Sequence, residues 1–306
     1  MTAAFSLNHV TKQYKHQLAL DDVTCSCEPG VVFALLGENG AGKTTAIKIL
    51  LGLLDPNSGE STVLGLDSRR DSLEIRRRVG YVPDQPALYD WMTVDEVGWF
   101  AAGFYPPGYQ RHYNELVEHF ELPPGRRMKE LSKGMRAKVS LSLAMAHRPQ
   151  LLILDEPTSG LDPMVRREFL ESMVDVAAQG RTVILASHQI AEVERVADIV
   201  AIIRHGKLVL LEQLDDLKDR VCELTVTLRN GVPDLPSIPG TVLHRELKGR
   251  QWRLLVRNMD ESQFDGFRIA ENIRSVDIRR PSLEEIFVGY MKGEPVPETP
   301  SEVPAL

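Results

Sequence analysis

Residues 37–44 read Gly-Glu-Asn-Gly-Ala-Gly-Lys-Thr, an order of residue types that can bind a chain of phosphates. Glycine permits torsions that turn consecutive backbone N–H groups inward around an anion. Lys43 can reach the β- and γ-phosphates of a nucleoside triphosphate, and the Thr44 hydroxyl is placed to ligate Mg²⁺. A strand-like apolar run at 31–36 precedes the loop and a helical apolar spacing at 45–51 follows it, which is the context that this motif requires. The predicted phosphate-binding residues are Gly37, Glu38, Asn39, Gly40, Ala41, Gly42, Lys43, Thr44 and Thr45.

Two adjacent carboxylates follow a fully apolar run. Residues 151–154 read Leu-Leu-Ile-Leu, which is typical of a central parallel strand, and Asp155 and Glu156 come next. Ligands of open parallel sheets bind at this end of the strands. We therefore expect Asp155 to hold Mg²⁺, directly or through water, and Glu156 to orient or deprotonate the attacking water. The alternative, two solvated acids at a surface strand end, explains neither the apolar run nor the phosphate loop.

The composition is that of an ordinary globular chain. With 306 residues, 43% of them hydrophobic and 26% charged, we expect one large domain or two. The formal net charge of −7 gives no electrostatic footprint for nucleic acid, so no nucleic-acid partner is expected. No apolar run reaches the ~18 residues of a membrane span, and the N-terminus lacks a signal-peptide pattern. Three cysteines are too few for a disulfide framework.

Periodicity predicts an α/β fold: a P-loop NTPase core with an antiparallel β subdomain and a helical subdomain. Residues 5–28 alternate as antiparallel strands do, and residues 90–147 are mostly helical in pattern. We place the helical subdomain at about 86–147 and end the NTPase domain, which starts at residue 1, at residue 212. A helix is also predicted over 190–197.

The composition changes after residue 212. Alternating strand patterns at 223–229 and 252–257, with a proline-punctuated loop between them, predict a small α+β appendage over 213–291. The tail 292–306 is rich in proline and glutamate, so we predict that it is disordered.

Further motifs extend the pattern in a fixed order. Residues 131–135 read Leu-Ser-Lys-Gly-Met, followed by a predicted helix at 136–147; Ser-Gly-Leu-Asp stands at 159–162 and Ser-His at 187–188. With these motifs, residues 5–210 resemble the ATP-binding subunit of an ABC transporter. The resemblance identifies a signature (Ser132, Lys133, Gly134 and Met135), a D-loop (Ser159, Gly160, Leu161 and Asp162) and a switch histidine, His188.

This resemblance implies an ATPase that uses ATP and Mg²⁺ and works as a dimer. In the family, each ATP lies between the phosphate loop of one protomer and the signature of the other. Ser132 and the Gly134 N–H would then contact the γ-phosphate at a helix N-terminus. The resemblance also implies that His188 supports Glu156 and that Tyr14 stacks on adenine. The second protomer is an identical chain or a sister ATPase, and the sequence leaves both open.

Three departures from the family pattern stand out. Lys133 replaces a glycine and Met135 a glutamine of the signature. In the Q-loop, the family glutamine position falls on Asp84, with Gln85 one residue later, so either residue is a candidate for the Mg²⁺ and water contact. The segment after it is rich in aromatic residues, which could bind a partner, although we expect most of them to pack inside the helical subdomain. These aromatic residues are Trp91, Trp99, Phe100, Phe104 and Tyr105.

The C-terminal stretch 280–290 resembles ATPase subunits of ABC-2 exporters, as does the Lys-Gly-Met of the signature. This resemblance implies an exporter subunit on the cytoplasmic face of the membrane, peripheral to it. A separate permease would dock helices of its cytoplasmic loops in the groove beside residues 84–105. The alternative is a soluble ABC ATPase that acts on ribosomes or nucleic acid. The interval 45–131 lacks the sustained heptads of the repair and chromosome types, which weakens that alternative.

Overall fold

The computed structural model describes residues 2–229, 235–249 and 251–293. It divides into two compact units, the first Met1–Leu208 and the second beginning at Val209. The predicted boundary at residue 212 lies a few residues later in the chain. Most of the tail for which disorder was predicted, 294–306, lies outside the described residues. Among the residues described, no helix has both the length and the apolar character needed to cross a bilayer.

Strands and helices alternate along much of the chain. In chain order, the strands are β1 (Phe5–Tyr14), β2 (Gln17–Cys27), β3 (Val32–Leu36), β4 (Ser58–Val63), β5 (Leu66–Asp67), β6 (Val79–Val82), β7 (Leu151–Asp155), β8 (Thr182–Ser187), β9 (Ile199–Arg204), β10 (Lys207–Gln213), β11 (Val221–Leu228), β12 (Thr241–Lys248), β13 (Gln251–Arg257) and β14 (Ile273–Arg279). The helices are α1 (Lys43–Leu50), α2 (Ser72–Arg78), α3 (Val94–Ala102), α4 (Tyr109–His119), α5 (Lys133–Met145), α6 (Pro163–Ala178), α7 (Ile190–Val193), α8 (Leu214–Arg220), α9 (Glu261–Arg268) and α10 (Leu283–Lys292).

A six-stranded sheet in the order β10-β9-β3-β8-β7-β6 positions the predicted site residues. Strands β3, β7 and β8 are buried along their whole length, which explains their unbroken apolar sequences. The pairs β3–β8, β7–β8 and β6–β7 are parallel. Leu36 is in register with Ser187, and Asp155 with Ala186, so the three buried strands end together. The phosphate loop, the two carboxylates and the switch histidine therefore leave the sheet at one edge.

A second sheet, β2-β1-β4-β5, is antiparallel, as the alternation at 5–28 predicted. Alternate residues at the start of β1 are buried on one face. Phe5 from this sheet packs edge-on against Phe33 of β3, with 5.0 Å between ring centroids. This contact joins the antiparallel sheet to the strand that leads into the phosphate loop.

The helical subdomain is built from α3, α4 and α5 around a core of its own. Tyr113 is fully buried, and its hydroxyl donates to the Val94 carbonyl at 2.8 Å. Gly98 has no room for a side chain, since a Cβ there would lie 2.1 Å from the Tyr113 ring. The predicted start of α5 at residue 136 is wrong: the helix begins at Lys133, because the Ser132 hydroxyl caps it by accepting from the Met135 N–H at 3.2 Å. Similarly, α7 ends at Val193, short of the predicted residue 197.

The second unit has an antiparallel sheet in the order β12-β13-β11-β14, together with α8, α9 and α10. Its core includes Leu224, Val226, Leu254 and Val256 from the two central strands. Strand β12 lies where the sequence suggested only a loop. Four of its eight residues are exposed in one run at its end, so the alternation of a half-buried strand is incomplete there.

Candidate functional site

The phosphate loop joins β3 to α1, and its backbone torsions require glycine. Gly42 precedes the helix with a φ of +116°, and a Cβ there would lie 2.5 Å from the Ala19 carbonyl oxygen. Lys43, the first helical residue, is only 6% exposed. Its ammonium donates to the carbonyl oxygens of Gly37 at 2.7 Å and of Glu38 at 3.3 Å. The lysine therefore folds back over its own loop.

Tyr14 and the phosphate loop line one pocket of about 190 Å³, which we call the nucleotide pocket. Its lining residues are Tyr14, Gln17, Ala19, Glu38, Asn39, Gly40, Ala41, Gly42, Lys43, Thr44 and Thr45. Tyr14 is 43% exposed, and the Lys12 ammonium lies 5.4 Å from its ring centroid. All of the lining thus comes from residues 14–45, at the N-terminal end of the chain.

Glu156 connects the predicted phosphate-binding lysine, Lys43, to the predicted switch histidine, His188. Its Oε1 lies 3.2 Å from the Lys43 ammonium, and its Oε2 lies 2.7 Å from His188 Nδ1. The backbone of Glu156 is left-handed, with φ of +51°, and its N–H donates to the Ala186 carbonyl at 2.9 Å. A glutamate in this conformation is uncommon, and such strain is concentrated at functional sites. The turn it makes directs the carboxylate back toward the phosphate loop instead of along the strand.

Asp155 is 1% exposed and accepts a hydrogen bond from the Thr44 side chain. Burial is the main cause that raises its pKa, and the carboxylates of Glu156 and Asp84 raise it further. Its Oδ1 is buried without a hydrogen-bond partner among the described residues. A carboxylate oxygen of this kind, next to a threonine hydroxyl, could hold a hard divalent cation.

One signature residue, Lys133, lines a different pocket from the phosphate loop. A groove of about 390 Å³, the signature groove, holds Lys133 and Arg136 from α5 together with Glu156. Both Q-loop candidates, Asp84 and Gln85, line this groove as well. Its complete lining is Val82, Pro83, Asp84, Gln85, Pro86, Leu88, Lys133, Arg136, Ala137, Glu156, Pro157, Ser159 and Leu161.

The D-loop is held by the helix that follows it. The Asp162 carboxylate caps α6 by accepting from the Val165 N–H at 3.1 Å. Arg166 donates to the Leu161 carbonyl at 2.8 Å and is ion-paired with Glu192. The Arg166–Glu192 pair was not predicted, and no local pattern indicated it, because the two residues lie on different helices.

The predicted site residues thus fall into two groups in one protomer. The structure brings Lys43, Thr44, Asp155, Glu156 and His188 together by direct contacts. Tyr14 shares the nucleotide pocket. The signature groove is lined by Glu156, by Lys133 of the signature and by Ser159 and Leu161 of the D-loop. Within the first group, the ion pair between Lys43 and Glu156 is a contact that the sequence did not predict.

The aromatic residues after the Q-loop correct one expectation. Most of them do not pack inside the helical subdomain: Trp91, Trp99, Phe100 and Phe104 are 43–71% exposed, and Tyr105 alone of the five is largely packed. Phe100, Phe104 and Tyr105 line an apolar groove of about 450 Å³, which we call the aromatic groove. Its lining residues are Leu51, Leu53, Arg76, Val79, Tyr81, Pro83, Pro86, Ala87, Leu88, Tyr89, Val97, Phe100, Ala101, Phe104, Tyr105, Tyr109, Ser140, Leu143, Ala144 and His147.

The fold and the site define a P-loop ATPase, and comparison with known proteins identifies its family. The model of the ABC transporter family matches residues 20–159. The chain is 34% identical over 276 residues to an uncharacterized ABC transporter ATP-binding protein of Nostoc, covering 86% of this chain and 80% of that protein. It is 31% identical over 298 residues to the daunorubicin resistance ATP-binding protein DrrA2 of Streptomyces coeruleorubidus, covering 90% and 91%. The chain therefore belongs to the ATP-binding proteins of ABC transporters and is an ATPase.

A solved structure and a much longer human protein are also similar to this chain. The solved ATP-binding subunit of an ABC transporter superposes with a TM-score of 0.66 at 33% identity, covering 71% of this chain and 92% of that one. The human ATP-binding cassette sub-family A member 2 is 35% identical over 244 residues, which are 76% of this chain and 10% of that much longer protein. The predicted family and the P-loop NTPase fold are therefore confirmed.

Proposed function

We propose that this ATPase powers a separate membrane permease, of the ABC-2 exporter type, by closing a dimer around ATP. The observation that carries the proposal is the division of the site within one protomer. The phosphate loop and the adenine-stacking candidate Tyr14 line the nucleotide pocket, while the signature residue Lys133 lies in the signature groove. A triphosphate bound on the loop of one protomer would need the signature of a second protomer, identical or a sister chain, to complete its site.

The groups around Glu156 fit hydrolysis of ATP. Lys43, which in this structure donates to its own loop, would transfer those bonds to the β- and γ-phosphates. Glu156 would then accept a proton from the attacking water, with His188 fixing its Oε2. In this arrangement the carboxylate is already oriented before ATP arrives, so little reorganisation is needed during the reaction.

Mg²⁺ fits the groups at the end of β7. The Thr44 hydroxyl and the unpartnered Oδ1 of Asp155 would hold it, and when bound it would neutralise charge on the phosphates. We assign the additional Q-loop contact to Asp84 rather than Gln85, because the Asp84 carboxylate is close enough to raise the pKa of Asp155. Separate alanine variants of Asp84 and Gln85 decide between them, since the functional residue is the one whose loss reduces Mg²⁺-dependent turnover more.

The permease would dock on the aromatic groove. Among its lining residues the only permanently charged one is Arg76, which donates to the carbonyls of Leu51 and Gly52 at 3.2 and 3.3 Å. Burial lowers the pKa of His147 to about 4, so this side chain is neutral near pH 7. An apolar groove edged by exposed aromatic rings suits a short amphipathic helix. In this proposal the chain lies on the cytoplasmic face of the membrane as a peripheral subunit.

Export is supported by one relative in particular. DrrA2, which aligns with nine-tenths of this chain, is named for daunorubicin resistance. Resistance to a drug is readily explained by its export, and we extend that direction of transport to this chain. The transported substrate is a property of the permease.

Glu156→Gln tests the dimer. We expect this variant to lose hydrolysis while it keeps MgATP, so that it forms a stable ATP-dependent dimer, whereas the parent dimer is transient. Light scattering behind size exclusion would measure the mass with ATP, with ADP and without nucleotide. Lys43→Met in the same background is the matched control, because it removes the phosphate-binding cation. A Glu156→Gln protein that stays monomeric in MgATP with its permease present would refute the proposal, and hydrolysis at the parent rate would refute the role of Glu156.

A further inference from the structure

The lysine that replaces a signature glycine lies over the D-loop of its own protomer. Gly160 has a φ of +67° and no side chain. The three heavy atoms nearest to a Cβ built there all belong to Lys133: Nζ at 2.4 Å, Cε at 3.4 Å and Cδ at 3.7 Å. The end of the lysine side chain, with its ammonium nearest, therefore occupies part of the space that a larger residue at position 160 would fill.

The charge of Lys133 is not used in this arrangement. Lys133 makes no ion pair or side-chain hydrogen bond in the part of the chain that the structure describes. Two other cations of the same helix are paired, Arg136 with Asp90 at 2.7 Å and Lys138 with Glu168 at 2.8 Å. Lys133 is an exposed residue whose ammonium lies against Gly160 and can take an anionic partner.

The D-loop is a direct continuation of the catalytic segment. The Ser159 N–H donates to the Glu156 carbonyl at 3.2 Å, which closes a turn between them. On the other side, Gly134 of the signature packs against the Val165 side chain at the start of α6, since a Cβ on Gly134 would lie 3.0 Å from it. Lys133 therefore lies between the residues that contact a triphosphate in a second protomer and the loop that follows Glu156 in its own.

We propose that Lys133 is a positioning residue that couples the signature to the D-loop of the same protomer. The inference rests on the proposed dimer. Without a partner, the lysine ammonium lies over Gly160 and restricts the D-loop. When Ser132 and Gly134 meet the triphosphate of a second protomer, the ammonium beside them is attracted to the phosphates and leaves Gly160. The D-loop, and with it the turn after Glu156, is then released only when the signature is engaged.

The test compares three variants in the Glu156→Gln background. Lys133→Met removes the ammonium, and with it the atom nearest to Gly160, but keeps most of the aliphatic chain. Lys133→Arg keeps the charge. Lys138→Met is the matched control, because it removes a lysine charge from the same helix, together with the ion pair to Glu168, and leaves the D-loop unchanged. Two quantities are measured: hydrogen exchange of the amides of residues 159–162 without nucleotide, and the ATP concentration for half-maximal dimer formation at low and high NaCl.

We expect Lys133→Met to raise the half-maximal ATP concentration by about fivefold, the effect of one lost charge contact near the surface, and to weaken its salt dependence. It should also change the exchange of the D-loop amides in the free protomer, while Lys133→Arg retains parent behaviour in both measurements. Lys138→Met should leave D-loop exchange unchanged.

Parent values for Lys133→Met in either measurement would overturn the inference, and so would the same changes in Lys138→Met. A different result would refute the proposed function. If the Glu156→Gln parent itself forms no dimer with MgATP, the composite site is wrong, and the coupling through Lys133 is withdrawn with it.

Discussion

Lys43 in the first unit and Arg257 in the second are both buried cations, but their partners differ. The Lys43 ammonium donates to two carbonyls of its own loop and is 3.2 Å from Glu156. Arg257 donates to Glu212 at 2.9 Å and to the Tyr290 hydroxyl at 2.8 Å. The loop carbonyls are partners that a phosphate can replace, whereas the partners of Arg257 are side chains of its own unit.

The carboxylates of the two units differ in the same way. Asp155 is buried with one oxygen unpartnered among the described residues. Glu212 is also buried, and it forms ion pairs with Arg220 at 2.6 Å and with Arg257 at 2.9 Å. Glu223 is likewise paired, with Arg279 at 2.7 Å. A buried carboxylate with unused bonding capacity is costly, so the unpartnered Oδ1 of Asp155 is a candidate for ligand binding, whereas Glu212 and Glu223 are paired within the protein.

Asp155→Asn gives the largest effect expected from this comparison. It should reduce Mg²⁺-dependent hydrolysis by about 100-fold or more, because it removes the charge that would face the proposed metal and the phosphates. The nucleotide-free protein should at the same time become more stable or stay unchanged, since burial disfavours the charged carboxylate. Steady-state ATPase assays and thermal unfolding without nucleotide measure the two results. A clear loss of stability would show that Asp155 supports the fold, and the contrast between the units would be lost.

Arg257→Met should destabilise the fold and leave hydrolysis nearly unchanged. Removing this cation leaves the Glu212 carboxylate buried with one fewer charged partner, at a cost of about 3 kcal/mol in the free energy of unfolding. Hydrolysis under conditions in which the protein stays folded should remain within about twofold of the parent rate, because no residue of the nucleotide site is changed. Arg220→Met is the matched control. Arg220 is half exposed whereas Arg257 is buried, so the loss of Arg220 should lower the free energy of unfolding by less.

Trp252 on β13 allows unfolding of the second unit to be followed by fluorescence. Replacing the other two tryptophans, Trp91 and Trp99, by phenylalanine leaves Trp252 as the single reporter. Both replaced residues are more than 60% exposed, so little stability should be lost. An Arg257→Met midpoint equal to that of the parent in this background would contradict a structural role for the Glu212–Arg257 pair.

The smallest effect is expected at Glu285, which caps α10 and pairs with Arg279 at 2.9 Å. The Arg279 guanidinium and burial act in opposite directions, and the guanidinium prevails, lowering the pKa of Glu285 from 4.5 to about 2. A depressed carboxyl pKa stabilises the fold above the unfolded value and stops doing so as the pH falls through the folded value. Glu285→Gln keeps the capping hydrogen bonds and removes the charge. We expect it to cost less than about 1 kcal/mol at pH 6, since the pair is partly exposed, and nothing near pH 2.

Urea unfolding of the parent and of Glu285→Gln at several pH values between 6 and 2 gives this difference directly. A difference that stays constant over the whole range would mean that Glu285 acts through its cap alone.

Much of the site could be predicted from the sequence because its parts are local. The phosphate loop is contiguous, and its function depends on glycine torsions and on the strand and helix next to it. The apolar run at β7 likewise predicted a buried strand, with Asp155 and Glu156 emerging at its end. The accessory unit was less predictable, since strand β12 has exposed residues along half its length and thus a weak alternation.

By itself the sequence determined which groups exist, their order along the chain and the family to which it belongs. Only the tertiary structure decided how they meet. Parallel pairing in register brings Lys43, Glu156 and His188 within bonding distance, although they are far apart in sequence. Packing also decided that four of the five aromatic residues after the Q-loop face outward and that Lys133 lies over Gly160. The reason is physical: a motif depends on neighbouring residues, while a contact between distant residues depends on the register and packing of every element between them.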